Sequence, residues 1–179
     1  MSEQMFVKLV MLGDATVGKT TLVKAFIGGE IKDGYRATLG ADIGRKSVKI
    51  GESELTFQIW DLSGQQSFQQ VRATFYKGAK GAILVYDVSH RETFENLQSW
   101  IQEFWNTVGV LPMVIVANKI DLREEGLGEV TTNEGKVYAQ QIGEMGKIET
   151  PFIEASAIRY ENADDAFLQF GKLILSRIA

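Results

Sequence analysis

The sequence predicts an α/β fold: a six-stranded, mostly parallel, doubly wound sheet with one antiparallel edge strand and helices on both faces. Three observations carry this. Several short apolar runs are nearly continuous, as in strands buried on both sides. Stretches with helical spacing alternate with them, and strands alternating with helices imply parallel pairing. One adjacent pair of segments instead alternates apolar and polar residues at period two across a short polar gap, which marks a hairpin.

The elements follow in order. FVKLVML (6–12) is a buried strand. Gly18 to Gly28 reads as a helix, with Leu22, Val23, Phe26 and Ile27 on one side. Residues 29–41 are polar and glycine-bearing and read as a loop. KSVKI (46–50) and LTFQI (55–59) flank Gly51-Glu52-Ser53-Glu54 and form the hairpin. GAILVYDV (81–88) is a second buried strand. Ser89-x-x-Glu92 has the form of a capping box, and Phe94, Leu97, Ile101, Phe104 and Val108 then recur at helical spacing. MVIVAN (113–118) is a strand, Thr131-x-x-Glu134 caps the next helix, and PFIEAS (151–156) is the last strand. A closing helix gathers Ala166, Phe167, Phe170, Leu173, Ile174 and Ile178 on one face.

The 179 residues suffice for one domain with a proper core, so the expectation is a single domain over 1–179. Apolar residues make up 45% and charged residues 23%, a globular balance. A net charge of -4 argues against nucleic acid, whose phosphates call for a basic face. There is no cysteine among the 179 residues, which excludes disulfides, thiolate metal sites and a cysteine nucleophile within them. MSEQMF lacks the basic start and long apolar stretch of a signal peptide, and VGVLPMVIVA (108–117) is far short of a membrane span. The expectation is a soluble, cytoplasmic monomer that does not bind membranes through this chain alone.

The fold places the polar motifs at the carboxyl ends of strands, where ligands bind in open α/β sheets. GDATVGKT (13–20) matches G-x-x-x-x-G-K-[ST] through Gly13, Gly18, Lys19 and Thr20. Glycines let the backbone come close to a ligand, and the loop amides with the helix N-terminus make an anion nest. Lys19 would reach the β- and γ-phosphates, and the Thr20 hydroxyl would hold Mg²⁺. NKID (118–121) then names the base. A carboxylate accepts only, so Asp121 suits the adjacent N1–H and N2–H₂ donors of guanine; the N1 acceptor of adenine would repel it. Asn118 and Lys119 would brace the base and the phosphate loop. On its own, NKID also reads as a strand running into a turn, with Asp121 as a helix cap.

With these motifs in view, the chain resembles the small GTPases of the Ras superfamily, and within them the Rab branch. WDLSGQQ (60–66) is similar to the family's WDTAGQE, TLGADI (38–43) to TIGxDF, and EASAI (154–158) to ETSAK. FYKGAKGAILVYDVSHRETFENLQSWIQE (75–103) shares the Rab rhythm, and the resemblance covers nearly the whole chain. It implies a P-loop NTPase G domain that binds and hydrolyses GTP with Mg²⁺. The phosphate loop would supply Gly13, Asp14, Ala15, Thr16, Val17, Gly18, Lys19, Thr20 and Thr21. Tyr35 would join them at the nucleotide. Thr38 would close on Mg²⁺ and the γ-phosphate, and Asp61 would hold Mg²⁺ through water. The Gly64 amide would contact the γ-phosphate, and Gln65 would orient the attacking water. Lys19, Gly64 and Gln65 are thus the catalytic set, and Thr20, Thr38 and Asp61 the metal set. Ser156, Ala157 and Ile158 would approach the base through backbone. Residues 31–43 and 61–78 would form two switches that meet effectors, exchange factors and GTPase-activating proteins.

The sequence also departs from the family pattern. Ile31 replaces a phenylalanine that packs against guanine, and Ile158 replaces the lysine of SAK; both predict weaker base affinity or faster exchange. By the resemblance, the methyl of Ala15 would point toward where a partner's arginine enters. Leu62-Ser63, Gln66 and Ile43 give the switches their own surface. Arg36 lies one residue out of register with the catalytic arginine of heterotrimeric G-protein alpha subunits and reads as a solvated loop residue. His90 reads as a surface residue. The expected function is a GTP-binding switch with slow hydrolysis, with a non-hydrolysing GTP-binding scaffold as the alternative.

Overall fold

The computed structural model describes residues 4–29 and 40–178. Within them six strands form one sheet: β1 (Gln4–Leu12), β2 (Ala41–Ile50), β3 (Ser53–Leu62), β4 (Gly81–Asp87), β5 (Met113–Asn118) and β6 (Phe152–Glu154). Their spatial order is β2-β3-β1-β4-β5-β6. β2 runs antiparallel to β3, and the other neighbours are parallel. Seven helices accompany them: α1 (Lys19–Ile27), α2 (Gln69–Tyr76), α3 (Arg91–Glu95), α4 (Leu97–Val108), α5 (Asp121–Glu124), α6 (Thr132–Gly146) and α7 (Ala163–Ser176). Among the described residues no helix is long and apolar enough to cross a membrane.

The period-two geometry of strands sorts the core onto two faces. Val7, Leu9 and Met11 of β1 join Phe26 of α1 and Phe167 and Phe170 of α7 in one cluster. Val10 and Leu12 of the same strand join Tyr76 of α2, Phe104 of α4 and Ile142 of α6 in the other. The rings of Phe26 and Phe167 stack at 4.1 Å between centroids, tying the first helix to the last. Strand neighbours of β1 thus lead away to opposite sides, and the loop after β1 opens at the point where the strand order reverses.

Four expectations change in detail. The hairpin is longer than its alternating stretches, with pairing from Ala41↔Leu62 to Ile50↔Ser53. β2 is an edge strand whose residues are all exposed or half-buried, so its outer half carries no apolar signal although its backbone pairs throughout. Ser89-x-x-Glu92 is not a capping box. The Ser89 hydroxyl donates to the Asp87 carboxylate at 2.6 Å, and the helix begins after His90 with no side-chain cap. The long amphipathic run is broken at Asn96, which ends α3 and starts α4. The Thr131–Glu134 capping box is present, with Thr131 N–H donating to the Glu134 carboxylate at 2.8 Å. Finally, Ile27 and Ile178 are 38% and 60% exposed. Ile178 lies beyond the end of α7. Ile27 covers the edge strand, since a Cβ on Gly44 would come within 2.5 Å of its Cδ1. His90 is exposed, as expected.

Candidate functional site

The loop from Gly13 to Gly18 has a backbone that side chains would not permit. Gly13 has φ +139° and a Cβ there would sit 2.2 Å from the Val85 carbonyl oxygen. Gly18 has φ +102° and a Cβ would sit 2.2 Å from Asn118 Nδ2. Val17 is fully buried and anchors the loop in the core beneath α1. Ala15 and Thr21 are half-buried, and Thr16 is exposed with φ +69°. Lys19 reaches back across the loop, and its Nζ donates to Gly13 O at 2.7 Å and to Asp14 O at 2.8 Å. Burial pushes its ammonium down to about 8, against the pull of the Asp61 and Asp14 carboxylates.

NKID stands at the end of β5 and ties three loops together. Asn118 Nδ2 donates to Val17 O at 2.9 Å, while its Oδ1 accepts from the Ala157 N–H at 3.1 Å. Lys119, at φ +65°, donates to Thr16 O at 2.7 Å and pairs with Asp87 at 2.7 Å. Burial alone would raise the Asp87 carboxyl, but hydrogen bonds from Lys119 and Ser89 hold it below the usual range. Asp121 opens α5, is 8% exposed and accepts from the Ser156 hydroxyl at 2.6 Å. Ser156 and Ala157 are buried, with the Ser156 hydroxyl on Asp121, whereas the Ile158 side chain is exposed.

Thr20 and Asp61 also come together, with the Thr20 hydroxyl donating to the Asp61 carboxylate. Among the described residues no group of three or more His, Cys, Asp or Glu could hold a metal unaided. A hydroxyl and one carboxylate are the donor set suited to Mg²⁺, which keeps waters and takes substrate phosphate oxygens for its remaining positions. The residues fit the ion.

Gly64 and Gln65 follow β3. A Cβ on Gly64 would lie 2.3 Å from Ala15 N and 2.4 Å from Asp14 C, so this glycine rests directly on the phosphate loop. Gln65 N–H donates to Ser63 Oγ at 3.3 Å, and its carbonyl accepts from Arg72 at 2.7 Å. Ile31, Tyr35, Arg36 and Thr38 lie outside the described residues.

Sequence reasoning placed Asp14 at the nucleotide, but its side chain is turned to α4. The carboxylate accepts from Asn96 Nδ2 and from Trp100 Nε1, both at 2.7 Å. It also missed Arg72, which is 2% exposed and forks onto Glu103. Its only signal was a charged residue in a short polar stretch, which more often points to solvent.

A parallel sheet with a glycine loop at its switch point, a lysine over that loop and a hydroxyl–carboxylate pair beside it defines a P-loop nucleotide-binding protein. The Ras family model matches residues 8–176. The chain is 38% identical to Ras-related protein RABG3a of Arabidopsis thaliana, covering 94% of this chain and 82% of that protein. It is 35% identical to Ras-related protein Rab7 of Prunus armeniaca, covering 97% and 84%. Identity to Ras-related protein Rab-7a of Dictyostelium discoideum is 35%, covering 92% and 80%. The chain belongs to the Ras family, on its Rab branch, and is a small GTPase that hydrolyses GTP to GDP and phosphate. Proteins of this family bind guanine nucleotides with Mg²⁺ and meet effectors, exchange factors and activating proteins.

Proposed function

We propose that this chain is a guanine-specific switch whose own hydrolysis is slow and whose 1–179 span is one G domain. The observation that carries the reading is the meeting of Lys19, the Thr20–Asp61 pair and Gly64–Gln65 around one loop. Asp121 accepts the N1–H and N2–H₂ of guanine, with the backbone of Ser156, Ala157 and Ile158 beside the base. Asn118 and Lys119 brace that corner against the phosphate loop. The amides of 13–18 and the N-terminus of α1, with Thr21 in its first turn, balance phosphate charge, and Lys19 adds a formal positive charge. Tyr35 would join them at the nucleotide. Thr20 and Asp61, joined by Thr38 in the triphosphate state, would hold Mg²⁺. When bound, the ion neutralises charge building on the β- and γ-phosphate oxygens.

Gly64 N–H meets the γ-phosphate and Gln65 orients a water for in-line attack. A bond forms from the water oxygen to the γ-phosphorus, the bond to the β–γ bridging oxygen breaks, and GDP and phosphate leave. Much of the phosphate loop's energy is shared by ground and transition states, so it favours binding more than rate. An arginine finger is worth roughly 10³–10⁵ in rate, and Arg36 is not read as one. Residues 31–43 and 61–78 change with the nucleotide and meet effectors, exchange factors and activating proteins.

Single-turnover hydrolysis is expected on the order of minutes to hours. Gln65→Leu should slow it further while leaving GTP affinity within a few-fold. Hydrolysis in that variant as fast as in the parent would remove Gln65 from its role.

A further inference from the structure

The phosphate loop and the Gln65 segment come from different strands, yet both are held by the same helix. Trp100 of α4 is 7% exposed and has two polar partners on different sides of the site. Its indole N–H donates to Asp14 in the phosphate loop at 2.7 Å. Its ring face receives the Arg72 guanidinium, with Cζ 4.3 Å from the centroid. Arg72 in turn donates to Ser63 O at 3.1 Å and to Gln65 O at 2.7 Å, the two carbonyls that flank Gly64. Its Nε and Nη2 donate to Glu103, one turn further along α4, at 3.0 Å each. The guanidinium therefore grips Gly64 from both sides while standing on α4.

We propose that Trp100 is a positioning residue for GTP hydrolysis: by fixing Asp14 through its N–H and Arg72 through its ring, it sets the spacing between the phosphate loop and Gly64–Gln65. The proposal rests on Gln65 orienting the water. The physical need is clear. A phosphate bound in the loop and a water held from the Gln65 segment must meet in line, and a misplacement of about 1 Å costs on the order of 10² in rate. Contact between Gly64 and the loop backbone limits how close the two can come. Pairing of β1 with β3 up to Met11↔Asp61 and the Thr20–Asp61 hydrogen bond fix the roots of the loop and the segment; beyond those roots, contacts to α4 limit how far apart the two drift. A rigid 12-residue helix holding both supplies a common frame. Aromatic bulk alone would fill the space between α2 and α4. It would not explain why one polar side of the Trp100 environment meets the Asp14 carboxylate of the phosphate loop and the other the carbonyls on either side of Gly64.

Trp100→Phe separates the two roles, since it keeps a ring face for Arg72 and loses one of the two donors to Asp14, leaving Asn96 Nδ2 on the other oxygen. Single-turnover GTP hydrolysis should fall about tenfold, with GTP and GDP affinities within about threefold of the parent's, the split expected when geometry and not binding is lost. In a Gln65→Leu background the same substitution should change the rate less than twofold, because the residue it positions is gone. Hydrolysis at the parental rate, or rate and affinity falling together, would overturn the proposal. So would an equal loss in the Gln65→Leu background. If Gln65→Leu by itself leaves the parent's rate intact, it is the water-orienting reading that has failed, and Trp100→Phe then decides on the rate and affinity split alone. Should Trp100→Phe prove unfolded at the assay temperature, Arg72→Lys decides. Lysine keeps a charge over the indole but cannot fork onto Glu103 and both carbonyls, so it should give the same split, and a parental rate there overturns the proposal.

Discussion

Asp121 shows how much one carboxylate decides. It is 8% exposed and has one oxygen on the Ser156 hydroxyl at 2.6 Å, so its orientation is set before any base arrives. Asp121→Asn presents a donor where xanthine carries a carbonyl and loses an acceptor that guanine needs. We expect weaker GTP binding and a relative gain for xanthosine triphosphate, measured by competition; unchanged GTP affinity would contradict the base assignment. Gly64 is decisive for a steric reason. Gly64→Ala puts a methyl within 2.3 Å of Ala15 N and 2.6 Å of Gly13 O, atoms of backbone that cannot rotate away. Loop and segment must separate, and hydrolysis should drop by more than about tenfold, while GDP affinity, which does not need the segment in place, changes far less. A parental hydrolysis rate in this variant would mean that the contact is not needed for the reaction.

At the scale of elements, the entry into α6 has a measurable electrostatic signature. The Arg91 guanidinium, then the Thr131 N–H and hydroxyl, hold the Glu134 carboxyl at about 2 against an ordinary 4.5. The folded value is the lower one, so this contribution is complete above pH 4.5 and is lost as pH falls from 4.5 toward 2. The difference in unfolding midpoint between the parent and Glu134→Gln should be constant above about pH 5 and shrink as the solution is acidified. A gap that stays constant down to about pH 3 would mean that the carboxylate charge adds nothing. The two capping boxes expected from sequence differ for a local reason. Thr131 has Glu134 free to fold back, whereas Ser89 lies beside the Asp87 carboxylate, a stronger acceptor within reach. α2 carried no sequence signal because only Arg72 and Tyr76 of its eight residues are buried, too few to show a periodicity.

For the whole molecule, the stretch 61–78 proposed as a second switch has a part held by a buried side chain and a part with no buried residue. Ser63 and Gln65 are held by Arg72, while Gln66–Phe68 has no buried residue. With a non-hydrolysable GTP analogue and Mg²⁺, amide exchange over 61–78 should be slower than with GDP, because the γ-phosphate adds an anchor at Gly64. Equal protection in both states would count against a nucleotide-driven switch.

Sequence by itself determined the strand order of motifs, the buried faces of most helices and the presence of the phosphate loop and NKID. These are local: Gly13, Gly18, Lys19 and Thr20 lie within eight residues, and apolar runs report burial wherever the chain takes them. Tertiary structure alone decided what the loops are fastened to. Asp14 and Trp100 are 86 residues apart, and Arg72 and Glu103 are 31 apart. No spacing rule connects such pairs, because they become neighbours only when α2 and α4 pack on the same face of the sheet. A buried arginine and a buried tryptophan look, in sequence, like a surface charge and a core ring. Desolvation is what makes them a strut, since a guanidinium taken out of water must find a partner for its charge and its donors, and the partners within reach are Glu103 and the backbone of the reacting segment.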